Sequence, residues 1–289
     1  MRHIREIEQE RRAMNTLVGL TGVFEGIASM RISQIKNQVL DSTKFFRELW
    51  AIYAQLRSVP QFGFGRSQST AQLINKDLYV IITSEGTLSG DIDQKLVDFM
   101  ASSYNNEKND IIVIGHHGAL QLAQLGIPYK RYFKLPIRDQ NINVSPIIIE
   151  AQKYRSTTVF YQQYESLTKQ GAHKIELSSA VQNEGNEAEG SVEAITESNY
   201  IFEPSTRAVV DHLEQSMMQI TLSQLILESK LAQYASRFRA MSTAYERSVD
   251  QRDELIKEFY RARRVLRDKR LKETINSLKK TQHHVGLLA

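Results

Sequence analysis

The stretch LEQSMMQITLSQLILESKLAQYASRFRAMSTAYERSVDQRDELIKEFYRARRVL (residues 213–266) decides the fold. It lies inside a longer run, Ser205 to about Lys280, that holds neither proline nor glycine. Those two residues cost a helix interior most, so nothing in the run interrupts a helix. A helix of about 75 residues is roughly 110 Å long at about 1.5 Å per residue, and it needs a partner along most of its length. Alternating steps of four and three from Leu213 reach Met217, Ile220, Gln224, Leu227, Leu231, Tyr234, Phe238, Met241, Tyr245, Ser248, Arg252, Leu255, Phe259, Ala262 and Leu266. All but Gln224, Ser248 and Arg252 are apolar. A sustained 3-4 repeat is the seam of a left-handed coiled coil.

The N-terminal end carries the matching half. No proline occurs before Pro60, and the same steps from Ile4 give a second seam running to Leu56. Its polar members are Arg11, Thr21, Glu25 and Ser42. Gly19, Gly22 and Gly26 weaken this helix in one place, where glycine either bends a helix or admits a close neighbour. Two long seams at opposite ends of one chain predict an antiparallel coiled coil, with a folded middle as the connection.

The period changes between them. Residues 59–76 read as a linker rich in proline, glycine and serine. Leu78–Thr83 and Ile111–Ile114 are short apolar, β-branched runs, separated by a helical pattern over 91–104. Further strands are expected at 129–135, 157–164, 174–181 and 199–202, and helices at 120–125 and 146–154. Continuous apolar strands alternating with helices predict an α/β domain over 77–204, with a largely parallel, Rossmann-like sheet and an antiparallel hairpin toward its end. The fold class is therefore mixed: an N-terminal coiled-coil helix (1–58), a linker (59–76), the α/β domain (77–204), a C-terminal coiled-coil helix (205–282) and a tail (283–289). The acidic stretch 182–198 reads as a solvated hairpin loop.

Composition excludes several classes. Hydrophobic content of 41% and charged content of 24% fit a globular chain. No run of about 18 apolar residues predicts a membrane span, and the charged start MRHIREIEQERR is not a signal peptide. Absence of cysteine excludes disulfides and thiolate metal sites and fits a cytoplasmic protein. Gly115-His116-His117-Gly118 has no third metal ligand at a suitable spacing and reads as a strand-to-helix turn. Ser84–Gly90 matches neither common phosphate-loop pattern, and no base is placed by sequence to activate Ser84. No catalytic, cofactor-binding or metal-binding residue is therefore assigned. The one charged feature that asks for a partner is Arg261–Lys272, with seven basic residues against one acid. The helix macrodipole fades within a turn and does not account for three turns of charge. An acidic protein surface or a nucleic acid would.

In order along the chain, several segments resemble the gamma subunit of F-type ATP synthases. Tyr200–Ser205 is similar to that family's Y-x-x-E-P-S, and Leu78–Gly90 to its strand ending in S-D-x-G-L-C-G. Ile111–Gly115 is similar to I-x-x-I-G, and Tyr260–Leu271 to N-K-A-R-Q-A-x-I-T-x-E-L. Thr21–Ile32 sits where the family has T-x-A-M-x-M-V-A-x-x-K-M. Departures accompany the matches: Glu85 for aspartate, Ser89 for cysteine or alanine, Phe24 and Gly26 for two methionines, Arg264 for glutamine and Asp268 for threonine. Arg31 and Arg263 keep the family's charges.

The resemblance implies a central rotor shaft with no catalytic role of its own and no cofactor. Proton- or sodium-driven rotation would be coupled to ATP synthesis or hydrolysis on a surrounding hexamer of alpha and beta subunits. The epsilon subunit and the c-ring would hold the foot, with one copy per complex, peripheral at the cytoplasmic face of a bacterial membrane. Rotor–stator contacts are expected at Phe24, Arg31, Arg263, Arg264, Arg267 and Asp268, with no nucleic acid involved. A basic coiled-coil nucleic-acid-binding or scaffold protein is the alternative from a different class.

Overall fold

A computed structural model describes residues 4–57, 74–135, 142–181, 203 and 205–285. The expected linker up to residue 73, the acidic loop at 182–198 and the strand at 199–202 lie outside the described residues.

The chain opens in one helix, α1 (Ile4–Arg57), and closes in another, α6 (Thr206–Val285). Ser205 caps α6: its Oγ accepts from the Ala208 N–H at 3.2 Å, the usual way to satisfy a free amide of the first turn. Between them run β1 (Ile74–Ile82), α2 (Ile92–Ala101), β2 (Asn109–Ile114), α3 (His116–Gln124), β3 (Arg131–Phe133), α4 (Ser145–Ala151), β4 (Tyr154–Tyr164) and β5 (Gln170–Glu176), then a helical segment, α5, over 177–181.

Two compact units result: one continuous stretch of chain, and one built from the two chain ends. The larger, 27–240, holds the sheet, the later part of α1 and the first part of α6. Its five strands are ordered β3-β2-β1-β4-β5. β1 lies parallel to β2 (Val80 opposite Ile112) and to β4 (Val80 opposite Val159), and β5 returns antiparallel beside β4. Alternation sorts the strand residues between two faces. Tyr79, Ile81, Ile111, Val113 and Phe160 pack under α2 and α3. Leu78, Val80, Ile82, Ile112, Ile114, Val159 and Tyr161 pack against α4 and against Leu222, Leu225 and Ile226 of α6.

The two long helices meet through the predicted seams. In the larger unit Phe46, Trp50 and Tyr53 of α1 cluster with Val210 and Met217, while Ile35 clusters with Leu227 and Leu231. Tyr53 bonds Glu214, and Gln224 bonds Thr43. Rising numbers on one helix thus meet falling numbers on the other, which makes the pair antiparallel. In the smaller unit, 1–26 with 241–289, the same sense holds. Tyr245 faces Gly22, and Arg11 lies over the Phe259 ring at 5.2 Å. Every described α1 seam position from Ile4 to Tyr53 is buried or half-buried.

Polar seam positions have their own explanations. Arg11 makes the cation–π contact just named, Gln224 the bond to Thr43, and Thr21 bonds the Leu17 carbonyl of its own helix at 2.8 Å. Gly22 faces the Tyr245 ring, and a Cβ there would sit 3.5 Å from it, an ordinary van der Waals contact, so the close approach does not require glycine. Gly19 and Gly26 have nothing within 4 Å and make no such contact.

Several boundaries differ from expectation: the expected elements at 120–125, 129–135, 146–154 and 157–164 run over 116–124, 131–133, 145–151 and 154–164. β1 starts at Ile74 rather than Leu78, because Asp77 and Ile74 already pair with β4. The strand expected over 174–181 stops at Glu176 and turns helical. Leu177, Ala180 and Val181 are buried, and their spacing of three and four is that of a helix face rather than of a strand.

Candidate functional site

The natural ligand position of a doubly wound sheet is outside the carboxyl ends of its strands, where the strand order reverses. Here that point is the end of β1, flanked by β2 and β4. It is filled from both sides. From below, Gly115-His116-His117-Gly118 presses against β1. A Cβ on Gly115 (φ +101°) would lie 2.0 Å from the Thr83 carbonyl oxygen, and one on Gly118 2.6 Å from Thr83 Oγ1. These two glycines are packing requirements, consistent with a strand-to-helix turn. Among the described residues no group of three or more His, Asp or Glu side chains is placed to hold a metal ion.

A set of contacts missed from the sequence sits beside that turn. Ser84 Oγ donates to Asp93 Oδ2, and His117 Nδ1 lies 3.1 Å from the same carboxylate oxygen and 3.3 Å from Ser84 Oγ. The expectation that no base lies near Ser84 thus needs correcting: the β1, α2 and α3 termini bring serine, aspartate and histidine together. The geometry is not that of a nucleophile relay. Both Ser84 and Asp93 approach the same ring nitrogen. The imidazole therefore cannot take a proton from the serine at one nitrogen while the aspartate holds the other.

Asp93 is instead the hub of a structural lock. Its Oδ1 accepts from the Ser84 N–H and from Gln162 Nε2 at 2.9 Å. Gln162 Oε1 in turn accepts from Ser229 Oγ and from Gln233 Nε2. Ser236 Oγ donates to the Ser89 carbonyl at 2.7 Å, and Arg237 Nη2 to Ser89 Oγ at 3.0 Å. Buried hydrogen-bond networks of this kind fix one packing geometry. α6 is therefore bolted across the carboxyl edge of the sheet.

Sequence inspection had a signal for this. Leu222, Ile226, Ser229, Gln233 and Ser236 also step by four and three, on the side of α6 opposite the seam. Three of these five residues are polar, which hid the stripe from an apolar count.

The residues expected to contact a stator are divided between the two units. In the smaller unit, Arg263, Arg264, Arg267 and Asp268 are exposed on α6, and every described residue from 263 to 278 is exposed as well. Phe24, 38% exposed, lies on α1 of the same unit. Its nearest α6 neighbourhood is Tyr245, opposite Gly22, about 27 Å along the helix from Arg263 at about 1.5 Å per residue. Arg31 belongs to the larger unit, is half-buried, and bonds Gln34 at 3.3 Å.

The exposed segment of α6 is not purely basic. Val265, Leu266, Leu271, Ile275 and Leu278 are each 39–60% exposed.

A family profile described as ATP synthase matches residues 3–282. A relative named "ATP synthase gamma chain" from Cytophaga hutchinsonii is 20% identical over 290 residues, covering 95% of this chain and 97% of its own. The chain belongs to the ATP synthase gamma-chain family. Solved structures agree in fold. A chain of the Euglena gracilis mitochondrial ATP synthase rotor, in rotational state 1, superposes with a TM-score of 0.62 at 13% identity, covering 91% of this chain and 98% of that one. A chain of the OSCP/F1/c-ring assembly from the same organism, in rotational state 3, gives 0.54 at 15% identity, covering 92% and 96%.

Seen as gamma-chain positions, two departures in the first loop are structurally accommodated. Glu85 accepts from the Leu135 N–H at 2.7 Å and from the Tyr132 hydroxyl. Ser89 supplies a hydroxyl that Arg237 uses.

Proposed function

We propose that this gamma-family chain is the central rotor shaft of an F-type ATP synthase. It would couple ion-driven rotation to ATP synthesis or hydrolysis on a surrounding alpha–beta hexamer, without carrying the chemistry itself. The observation that carries the proposal is the family match across residues 3–282 together with the antiparallel pairing of the two terminal helices. A torque-bearing shaft needs stiffness, and two helices packed along a shared seam, as in a coiled coil, resist bending better than one. It also needs an asymmetric surface, which exposed charge and apolar residues on a single helix past Ala262 would provide.

The partners in this reading are the alpha and beta subunits around the helices, and the epsilon subunit and c-ring at the α/β domain, with one gamma chain per complex. Attachment would be peripheral, at the cytoplasmic face of a bacterial membrane. Among the described residues no helix is long and apolar enough to cross a membrane. Phe24, Arg31, Arg263, Arg264, Arg267 and Asp268 are the proposed rotor–stator contacts. Solvated charges suit sliding contacts, because exposed pairs contribute only about 0–1 kcal/mol each. The nucleic-acid alternative has no support among the relatives.

Reconstitution tests the proposal. The chain, mixed with the alpha and beta subunits of its own source, should assemble a nucleotide-hydrolysing complex in which this chain rotates. Arg263→Glu/Arg264→Glu should impair assembly or coupling while the free chain keeps its helicity. Unchanged rotation and synthesis in that variant would remove the collar from the mechanism. Failure to assemble with the wild-type chain would remove the shaft.

A further inference from the structure

α6 does not fill the crevice at the end of β1 completely. A cavity of about 210 Å³ remains between the Ser84–Gly86 turn, residues 134–135 and α6. Three cationic side chains line it, Lys134, Lys230 and Arg237, against one carboxylate, Glu85. That carboxylate is already engaged by the Leu135 N–H and the Tyr132 hydroxyl. Lys230 is 5% exposed, so at least one of the three charges is withdrawn from bulk water. Arg237 is fixed in place, with its guanidinium 5.3 Å from the Tyr234 ring and Nη2 on Ser89. Its Nε is buried and has no hydrogen-bond partner. A Cβ on Gly86 would come 3.1 Å from Arg237 Nη2, so the absence of a side chain there keeps the turn close to the guanidinium.

We infer that this cavity is an oxyanion site for a group of phosphate or pyrophosphate size. Excess positive charge around a small hollow attracts an anion, and a planar guanidinium suits two oxygens of one tetrahedral group. Whole cofactors and drug-sized ligands occupy about 300–1,000 Å³, so the volume selects the oxyanion itself rather than a nucleotide. The position, at the strand-order reversal of an α/β sheet, is where such folds bind ligands. An anion held there would touch the β1 turn, the segment after β3 and α6 at once. Its binding would tighten the docking of the long helix onto the sheet. This inference is independent of the rotor reading, since it concerns only residues within the unit 27–240.

Calorimetric titration of the full chain with inorganic phosphate, and separately with pyrophosphate, tests it, with chloride at matched ionic strength as the control. Expected is saturable binding of at least one of the two, with a thermal midpoint that rises with ligand concentration as binding to the native state requires. Lys134 is exposed, so Lys134→Gln should fold normally and weaken binding by about 10-fold, equivalent to about 1.4 kcal/mol. Arg237→Gln should weaken it further. Binding of pyrophosphate alone would support the site and assign a two-phosphate occupant. Binding that matches chloride, or that survives both substitutions unchanged, would overturn it.

Discussion

Two stretches of α6 share one helix and little else. From 221 to 236 no residue is exposed. One side meets α1 through Leu227 and Leu231, and the other meets the sheet through Leu222 and Ile226. From 263 to 278 every described residue is exposed, apolar ones included. The first stretch carries serine and glutamine on its buried side, and the second carries leucine and isoleucine in solvent. The contrast shows that residue type alone does not tell which side of a long helix is buried within the chain. It also separates two contributions to the free chain, since the inner stretch is packed on both sides and the outer one is exposed.

Deleting packing from the inner stretch should have the largest effect. Ile226→Ala removes a side chain that is 0% exposed between α6 and the sheet. Denaturant unfolding should show a loss of about 2–5 kcal/mol. A loss near zero would mean that the helix does not depend on this docking.

The next effect is one of pH. Burial pushes the Glu214 carboxyl up to about 7, while the bond from Tyr53 works to lower it. Burial pushes Glu228 to about 7 as well. Between the ordinary carboxylate range and pH 7 the unfolded chain releases these protons and the folded chain keeps them. Stability therefore falls as pH rises across that window and levels off above it. Glu214→Gln should remove its share of the fall, on the order of 2 kcal/mol at pH 8, and change little at pH 4. A wild-type stability that is flat from pH 4.5 to 8 would contradict this.

Ser229→Ala cuts the Gln162 lock. A cost of about 1–2 kcal/mol is expected, because a buried acceptor loses a donor. If the same substitution leaves amide exchange in α6 unchanged, the network is not what bolts the helix to the sheet.

The smallest effect on the free chain belongs to the outer stretch. Leu271→Ala should change its stability by less than about 0.5 kcal/mol, as for exposed sites. The comparison sharpens if the same variant lowers hydrolysis or rotation in the assembled complex. If it has no effect there either, the exposed apolar residues are not contacts.

Helix lengths, the antiparallel pairing and the seam of α1 were legible in the sequence because a 3-4 period and the absence of breakers are local properties. Continuous apolar, β-branched runs marked the central strands for the same reason. The turn 115–118 was legible as a turn, but its glycines acquire their reason only from Thr83, over 30 residues earlier. Asp93 was not legible at all. Its partners, Ser84, His117 and Gln162, come from three other elements, and no spacing along the chain connects them. The second stripe of α6 was overlooked because a polar buried face resembles a solvated one until its hydrogen-bond partners are known.

By itself the sequence determined that two long helices must pair and that a parallel-type sheet must lie between them, since periodicity and propensity act within a few residues. The tertiary structure alone decided that α6 crosses the sheet's ligand crevice, that a cationic hollow survives there, and that the basic segment past Ala262 stands free of the rest of its unit. Those outcomes depend on which distant groups become neighbours, and burial and hydrogen bonding between distant groups leave no period in the chain.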